Sequence, residues 1–218
     1  MDKGLILKDL TRYGKPFSAS GLEKKDLDGS PIEQFVKWIE SAIEAGNEEP
    51  NLMVLSTVSE QNAPSSRIVL IKYITDKGLV FFSNYESRKG KEIELNQKAS
   101  AVIYWPSLER QVRIEGIIEK VESSFSDYYF KMRSFESQLG AIVSKQSTSI
   151  PSREYLMEKL EELDQSFKGK KLVRPYYWGG YILLPEIIEF WQGGPHRLSD
   201  RFQYRPQNGS WVIERLAP

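Results

Sequence analysis

Between positions 52 and 121 the chain carries five runs dense in β-branched and aromatic residues, at 52–58, 67–74, 79–83, 99–105 and 110–121. Such side chains suit a pleated, half-buried surface. Asp76-Lys77-Gly78 reads as a hairpin turn and Asn62-Ala63-Pro64 as a loop. Parallel strands need helical crossovers of a dozen or more residues between them. Strands at such short spacing, with few helices among them, argue instead for an antiparallel barrel. No GxGxxG fingerprint follows any strand, which counts against a dinucleotide-binding sheet. Further strands are predicted at 180–190, 200–205 and 211–215, giving an α+β chain that is mainly β.

Helical periodicity frames this block. Ser30 can cap a helix, Pro31 suits its first position, and Glu33 lies three residues beyond the cap. A helix is predicted over 31–45, with Ile32, Phe35, Val36, Ile39 and Ile43 as its apolar stripe. Others are predicted at 86–96, 124–133 and 152–167, followed by a loop at 168–171. Residues 1–30 have weak periodicity broken by Gly14, Pro16, Gly21 and Gly29, and are expected to be a mobile N-terminal segment. Residues 31–218 are expected to form a single domain with a substantial core.

Charge excludes several functions. Lys plus Arg, 30, equals Asp plus Glu, 30, so no global basic field exists to hold nucleic acid. An anion site must come from a local cluster. The absence of cysteine removes disulfides, thiolate metal sites and thiol nucleophiles. His196 is the only histidine, which excludes histidine-rich metal sites and any Ser-His-Asp triad that does not use it. No apolar run approaches the roughly 18 residues of a membrane span. Met1 to Leu10 carries charge at Asp2, Lys3, Lys8 and Asp9 and lacks a signal-peptide core, so a cytoplasmic location is expected.

Several local clusters could carry chemistry. Ser87 can cap a helix that begins with Arg88 and Lys89, cations that oppose the helix dipole. An anion bound there would explain them; so would a solvated basic turn balanced by Glu92 and Glu94. The run Ile68-Val69-Leu70-Ile71 is bracketed by Arg67 and Lys72 and reads as a strand buried on both faces. Alternation places those two cations on opposite faces. They suit two anions, two sides of one ligand, or ordinary strand-end solvation. In 110–121, Val112, Ile114 and Ile118 face one way, while Gln111, Arg113 and Glu115 face the other. Gln111 could bond a heteroaromatic edge or simply meet water. Tyr129 and Arg133 share a helix face, with Ser137 just beyond, a set that suits a phosphate monoester or a surface stacking pair. Gln146 and Ser147 sit in a polar loop. Last, Phe190-Trp191-Gln192-Gly193-Gly194 ends a strand in aromatics and glycines, with Arg197, Ser199, Asp200 and Arg201 following.

Together these segments resemble the pyridoxamine 5′-phosphate oxidase family of FMN-binding split barrels. The resemblance rests on Arg67-Ile68-Val69-Leu70-Ile71-Lys72, Ser87-Arg88-Lys89, Leu108-Glu109-Arg110-Gln111-Val112, Ser144-Lys145-Gln146-Ser147, Trp178-Gly179-Gly180, Phe190 to Gly194, Arg197-Leu198, Asp200-Arg201 and the terminal Arg215-Leu216-Ala217-Pro218. It implies an antiparallel Greek-key split barrel with peripheral helices and C-terminal dimerisation strands. It implies a homodimer with FMN in clefts at the interface. Residues 67–72, Phe82, Ser83, Arg88, Lys89, Gln111, Gln146, Ser147, Trp191 and Arg201 are implied as FMN contacts. Lys72, Tyr129, Arg133, Ser137, Arg197 and Ser199 are implied as substrate contacts, with Arg197 the catalytic side chain against the pyridine ring. The implied reaction oxidises pyridoxamine or pyridoxine 5′-phosphate at the 4′ carbon. Hydride goes to the flavin and then oxygen accepts the electrons, giving pyridoxal 5′-phosphate and hydrogen peroxide.

Two stretches depart from the family pattern. Ser199 stands where the family commonly has histidine, and Gly14-Lys15-Pro16-Phe17 stands where it often has an Arg-x-x-Tyr lid. Altered substrate closure with retained flavin binding is expected. The competing reading is a split-barrel FMN oxidoreductase acting on a different ring.

Overall fold

The computed structural model describes residues 16–19, 21–167 and 171–218. Among the described residues, nine antiparallel strands form one sheet: β1 (Leu52–Val58), β2 (Pro64–Leu70), β3 (Tyr73–Ile74), β4 (Leu79–Asn84), β5 (Lys98–Trp105), β6 (Arg110–Lys120), β7 (Trp178–Gln192), β8 (Asp200–Gln207) and β9 (Ser210–Leu216). The path runs β2-β1-β5-β6-β7-β4-β3, and β8 and β9 branch from β7. The sheet curls into a half-barrel with peripheral helices, the split-barrel arrangement.

The branch depends on β7, which pairs with β6 along its length. On its other edge Trp178 to Leu183 pairs with β4, and Ile188 to Gln192 pairs with β8. Pro185 falls in the gap, where its missing N–H costs no ladder bond. Opposite it, the β6 register shifts between Glu115 and Gly116. A Cβ on Gly116 would stand 2.0 Å from the Leu184 carbonyl oxygen, so only glycine permits this approach.

Helix α1 (Pro31–Glu44) begins as the sequence indicates, with Ser30 Oγ accepting from the Glu33 N–H and Pro31 in the first turn. Its buried face is rotated from the predicted stripe. Trp38 and Ala42 are buried, whereas Ile43 is exposed. Trp38 is recruited by its neighbours, packing edge-on against Phe190 at 5.0 Å while the Arg110 guanidinium lies 4.6 Å above its ring. With Phe35 and Ile39 it covers Met53, Leu55, Ile103, Val112 and Phe202. A smaller core of Phe130, Leu139, Leu172 and Trp178 sits under α3 (Ser123–Met132), α4 (Phe135–Val143) and α5 (Arg153–Phe167).

The single strand predicted over 67–74 is divided. β2 ends at Leu70, β3 begins at Tyr73, and β2 lies at the end of the sheet path, pairing only β1. It is therefore not buried on both faces, and Ile68 is 60% exposed. Of the segment expected to be mobile, residues 1–15 and 20 lie outside the described residues. Within the remainder, Leu22 joins the core and its N–H donates to Asp200 Oδ2 at 2.9 Å. Of the predicted loop at 168–171, only Lys171 is described. Among the described residues no helix is long and apolar enough to cross a membrane.

Candidate active site

β2 and the first turn of α2 (Arg88–Leu95) meet at a cleft of about 840 Å³. Arg67, Ile68, Val69, Leu70, Lys72, Phe82, Ser83, Arg88 and Lys89 line it from one side of the sequence. Tyr129, Arg133, Ser137, Gln146 and Ser147 reach it from α3, α4 and the loop after α4.

The α2 end of the cleft is built for negative charge. Ser87 Oγ accepts from the Gly90 N–H at 3.3 Å, and the helix then opens on two cations. Lys89 is buried, and its Nζ donates to Ser83 Oγ at 2.9 Å and Gln146 Oε1 at 3.0 Å. Burial, reinforced by the nearby Arg67 charge, pulls its ammonium down to about 8. A buried ammonium held only by neutral oxygens gains a counter-ion when an anion enters. Arg67 and Arg88 both reach the carboxylate of Glu92, at 3.2 and 2.9 Å.

Aromatic rings and a second basic group occupy the neighbouring wall. Tyr129 stacks on Phe82 with centroids 3.8 Å apart, and Trp178 stacks on the other two at 5.6 and 6.2 Å. The Arg133 guanidinium lies 4.6 Å from the Trp178 ring centre. Its Nη1 is buried without a hydrogen-bond partner, a cost of roughly 1–3 kcal/mol that an acceptor in the cleft would remove. Arg133 is the C-cap of α3 rather than part of it, and Ser137 lies in the first turn of α4. The two side chains therefore come from different helices, although the sequence suggested one helix followed by a serine. Lys72 joins the cleft together with Arg67, contrary to the opposite faces that strict alternation predicts, because the strand breaks at Ile71-Lys72. Ile71 does not line the cleft; it is buried in the main core.

Gln111, Trp191 and Arg201 lie elsewhere in the protomer. They form one row across β6, β7 and β8, with Gln111 opposite Trp191 and Trp191 opposite Arg201. Arg201 donates to Glu189 at 2.8 and 3.0 Å, and Phe17 packs edge-on to Trp191 at 5.2 Å. Next to this row His196 and Arg197 adopt left-handed φ of 56° and 62°. Non-glycine residues adopt this region seldom. Arg197 is exposed there, and Ser199 is buried.

The regions that carry these two surfaces are both similar to known proteins. Residues 39–167 match the sequence model described as pyridoxamine 5′-phosphate oxidase. Residues 178–218 match the one described as the pyridoxine 5′-phosphate oxidase C-terminal dimerisation region. The chain belongs to the pyridoxine/pyridoxamine 5′-phosphate oxidase family. It is 48% identical to the pyridoxine/pyridoxamine 5′-phosphate oxidase of Aliarcobacter butzleri, over 96% of this chain and 100% of that one. It is 46% identical to the pyridoxine/pyridoxamine 5′-phosphate oxidase of a Cyanothece species, over 94% of this chain and 96% of that one. A solved structure of PhzG from Burkholderia lata, in complex with tetrahydrophenazine-1-carboxylic acid, superposes with TM-score 0.87 at 30% identity. That match covers 94% of this chain and 100% of the other.

Membership in this oxidase family brings flavin-dependent oxidoreductase chemistry, and the dimerisation region holds Trp191, Arg197 and Arg201. The cleft thus gathers most of the residues that the resemblance implied; Gln111, Trp191 and Arg201 form the row on β6 to β8, Arg197 and Ser199 lie beside that row, and Ile71 is in the core. Trp178 gains a place in the cleft wall that sequence reasoning had not given it, and Glu92, read only as balancing the basic turn, also reaches Arg67. Trp178 stood within the recognised Trp-Gly-Gly motif, and Glu92 lies four residues after Arg88, a spacing that marks a helical ion pair.

Proposed function

We propose that the protein is an FMN-dependent oxidase of pyridoxamine 5′-phosphate, and of pyridoxine 5′-phosphate. It forms pyridoxal 5′-phosphate and hydrogen peroxide with oxygen as acceptor. One observation supports this reading: a single cleft in a chain of zero net charge gathers Arg67, Arg88 and Lys89 with Ser83 and Gln146, and also Lys72 and Arg133 with Tyr129 and Ser137, side chains suited to two phosphates. Arg67, Arg88, Lys89, Ser83, Gln146 and Ser147 would hold the FMN phosphate and its neighbourhood. Lys72, Tyr129, Arg133 and Ser137 would hold the phosphate of the substrate.

Bound FMN supplies the two-electron acceptor that side chains cannot offer. The chain's own contribution is binding and orientation. Fixing the substrate phosphate at Arg133 and Lys72 sets how far the pyridine ring reaches across the cleft. The Phe82, Tyr129 and Trp178 stack keeps the adjoining wall apolar and limits water. A second copy of the chain would bring Gln111, Trp191 and Arg201 to the flavin and Arg197 to the substrate ring, so the working unit is a homodimer.

A second reading, a flavin oxidoreductase acting on another ring, is favoured by Ser199 and by the phenazine-type ligand of the PhzG neighbour. The Lys72, Tyr129, Arg133 and Ser137 set supports the phosphorylated substrate over it. The test is direct. Purified protein is expected to show flavin absorption that bleaches when pyridoxamine 5′-phosphate is added without oxygen, and to form the aldehyde in air. Aldehyde formation no greater than in a flavin-free control would overturn the proposal.

A further inference from the structure

Thr57 and Ser65, on β1 and β2, and Arg88, on α2, converge with Arg67 on one carboxylate. Glu92 Oε1 accepts from Arg88 Nε at 2.9 Å. Glu92 Oε2 accepts from Ser65 Oγ at 2.7 Å, from Arg67 Nη2 at 3.2 Å and from Thr57 Oγ1. The two hydroxyls also accept from Arg67, Thr57 from its Nη1 and Ser65 from its Nη2. The Glu92 side chain is 6% exposed, whereas those of Arg67 and Arg88 are 20% and 63% exposed. The carboxylate therefore lies behind the guanidiniums and the guanidiniums face the cleft.

We propose that Glu92 is the positioning residue of the phosphate cradle, holding Arg67 and Arg88 from behind so that both present to one phosphate monoester. The inference rests on the reading that this group of residues binds the FMN phosphate. Two arginines beside a buried lysine repel one another and would splay without an anion between them. One shared carboxylate removes that repulsion from the rear and leaves the front of each guanidinium for the ligand. Three cations and one carboxylate leave a net charge of two, which matches a phosphate dianion. The state of Glu92 agrees. Burial acts to raise its pKa, but bonds from Thr57, Ser65, Arg88 and Arg67 outweigh it and hold the carboxyl at about 2. Glu92 touches neither ligand nor reacting atoms in this arrangement. Its effect passes through the arginines.

A simple electrostatic alternative predicts the opposite sign. If Glu92 only diluted positive charge, neutralising it would tighten binding of an anion. The experiment compares FMN with riboflavin, which lacks the phosphate, in the wild type, Glu92→Gln and Thr57→Val. Dissociation constants come from quenching of flavin fluorescence, and melting temperatures are taken on the same samples. Glu92→Gln is expected to weaken FMN by roughly tenfold or more while leaving riboflavin within about twofold. Thr57→Val, which removes one hydroxyl that does not line the cleft, is expected to shift the same ratio to a smaller extent. It serves as the test if Glu92→Gln does not fold. An unchanged FMN-to-riboflavin ratio, equal losses of both ligands, or tighter FMN binding would each overturn the proposal. A wild type that fails to prefer FMN over riboflavin would instead overturn the underlying phosphate reading.

Discussion

Lys89 carries a proton at neutral pH against two opposing influences, burial and the Arg67 charge, which together bring it to about 8. A phosphate dianion beside it favours the charged form, so the bound pKa lies above the free one. Binding therefore takes up a proton between about pH 8 and the bound pKa. FMN affinity should be greatest below that point and fall by up to about tenfold per pH unit above it, until the bound pKa is reached. On the acid side the phosphate's own second ionisation, near ~6, sets the lower limit. Dissociation constants measured by fluorescence from about pH 6 to pH 9.5 should show the alkaline fall for FMN and not for riboflavin. Lys89→Met should bind FMN weakly with that fall abolished; an identical alkaline limb in the variant would assign the titration elsewhere. Lys89 and Arg88 were legible as candidates because two cations at a helix N-terminus oppose its dipole. The joint use of Arg67 and Lys72 was not. Alternation along a strand fixes their faces only while the strand continues, and this one stops at Leu70. The pairing of Arg133 with Trp178 was likewise hidden, since it joins the C-cap of α3 to the first residue of β7.

At the scale of elements, β7 decides whether the cleft and the row, the two proposed ligand surfaces, keep their relation. Its first half pairs with β4, which carries Phe82 and Ser83, and its second half carries Trp191 beside β8. The junction is the Pro185 gap opposite the Gly116 bulge. Gly116→Ala would place a methyl group against the Leu184 carbonyl, where backbone rather than a flexible side chain must yield. Overpacking of this kind costs about 3 kcal/mol, which corresponds to a drop in melting temperature of roughly 10 °C for a chain of this size. Thermal unfolding followed by circular dichroism is the measurement; a loss under about 2 °C would show that β6 and β7 separate easily. Strand content and the antiparallel class were readable, because runs such as 99–105 and 110–121 are rich in β-branched or aromatic residues and closely spaced. The bulge was not, since a glycine within a strand pattern has several structural meanings. Helix α4 was also missed. It is short, contains Gly140 and buries only Leu139, so its periodicity is faint. Trp38 on α1 is buried although it falls outside the predicted stripe, because Phe190 and Arg110 from β7 and β6 supply its environment.

For the whole molecule, the proposed function implies that no single protomer holds a complete site. Arg67, Arg88 and Lys89 line the cleft, while Gln111, Trp191 and Arg201 form a row on the sheet. The sequence order of the row also follows from sheet geometry. Three strands in antiparallel register put residues from three distant positions side by side, and residues 178–218 match a dimerisation region. If each site takes the cleft of one copy and the row of the other, damage to the two halves is complementary. A Lys89→Met homodimer has two damaged clefts and two sound rows; an Arg201→Ala homodimer has the reverse. Each should bind flavin poorly. When equal amounts are unfolded and refolded together, half of the dimers are mixed under random pairing. Each mixed dimer carries one doubly damaged site and one site with neither substitution. The mixture should therefore recover about a quarter of the wild-type flavin sites and of the oxidase activity. Mixing the folded homodimers without unfolding should recover little if subunits exchange slowly. Recovery no greater than the average of the two variants, in a sample shown by mass spectrometry to contain mixed dimers, would mean that each site is completed within one chain.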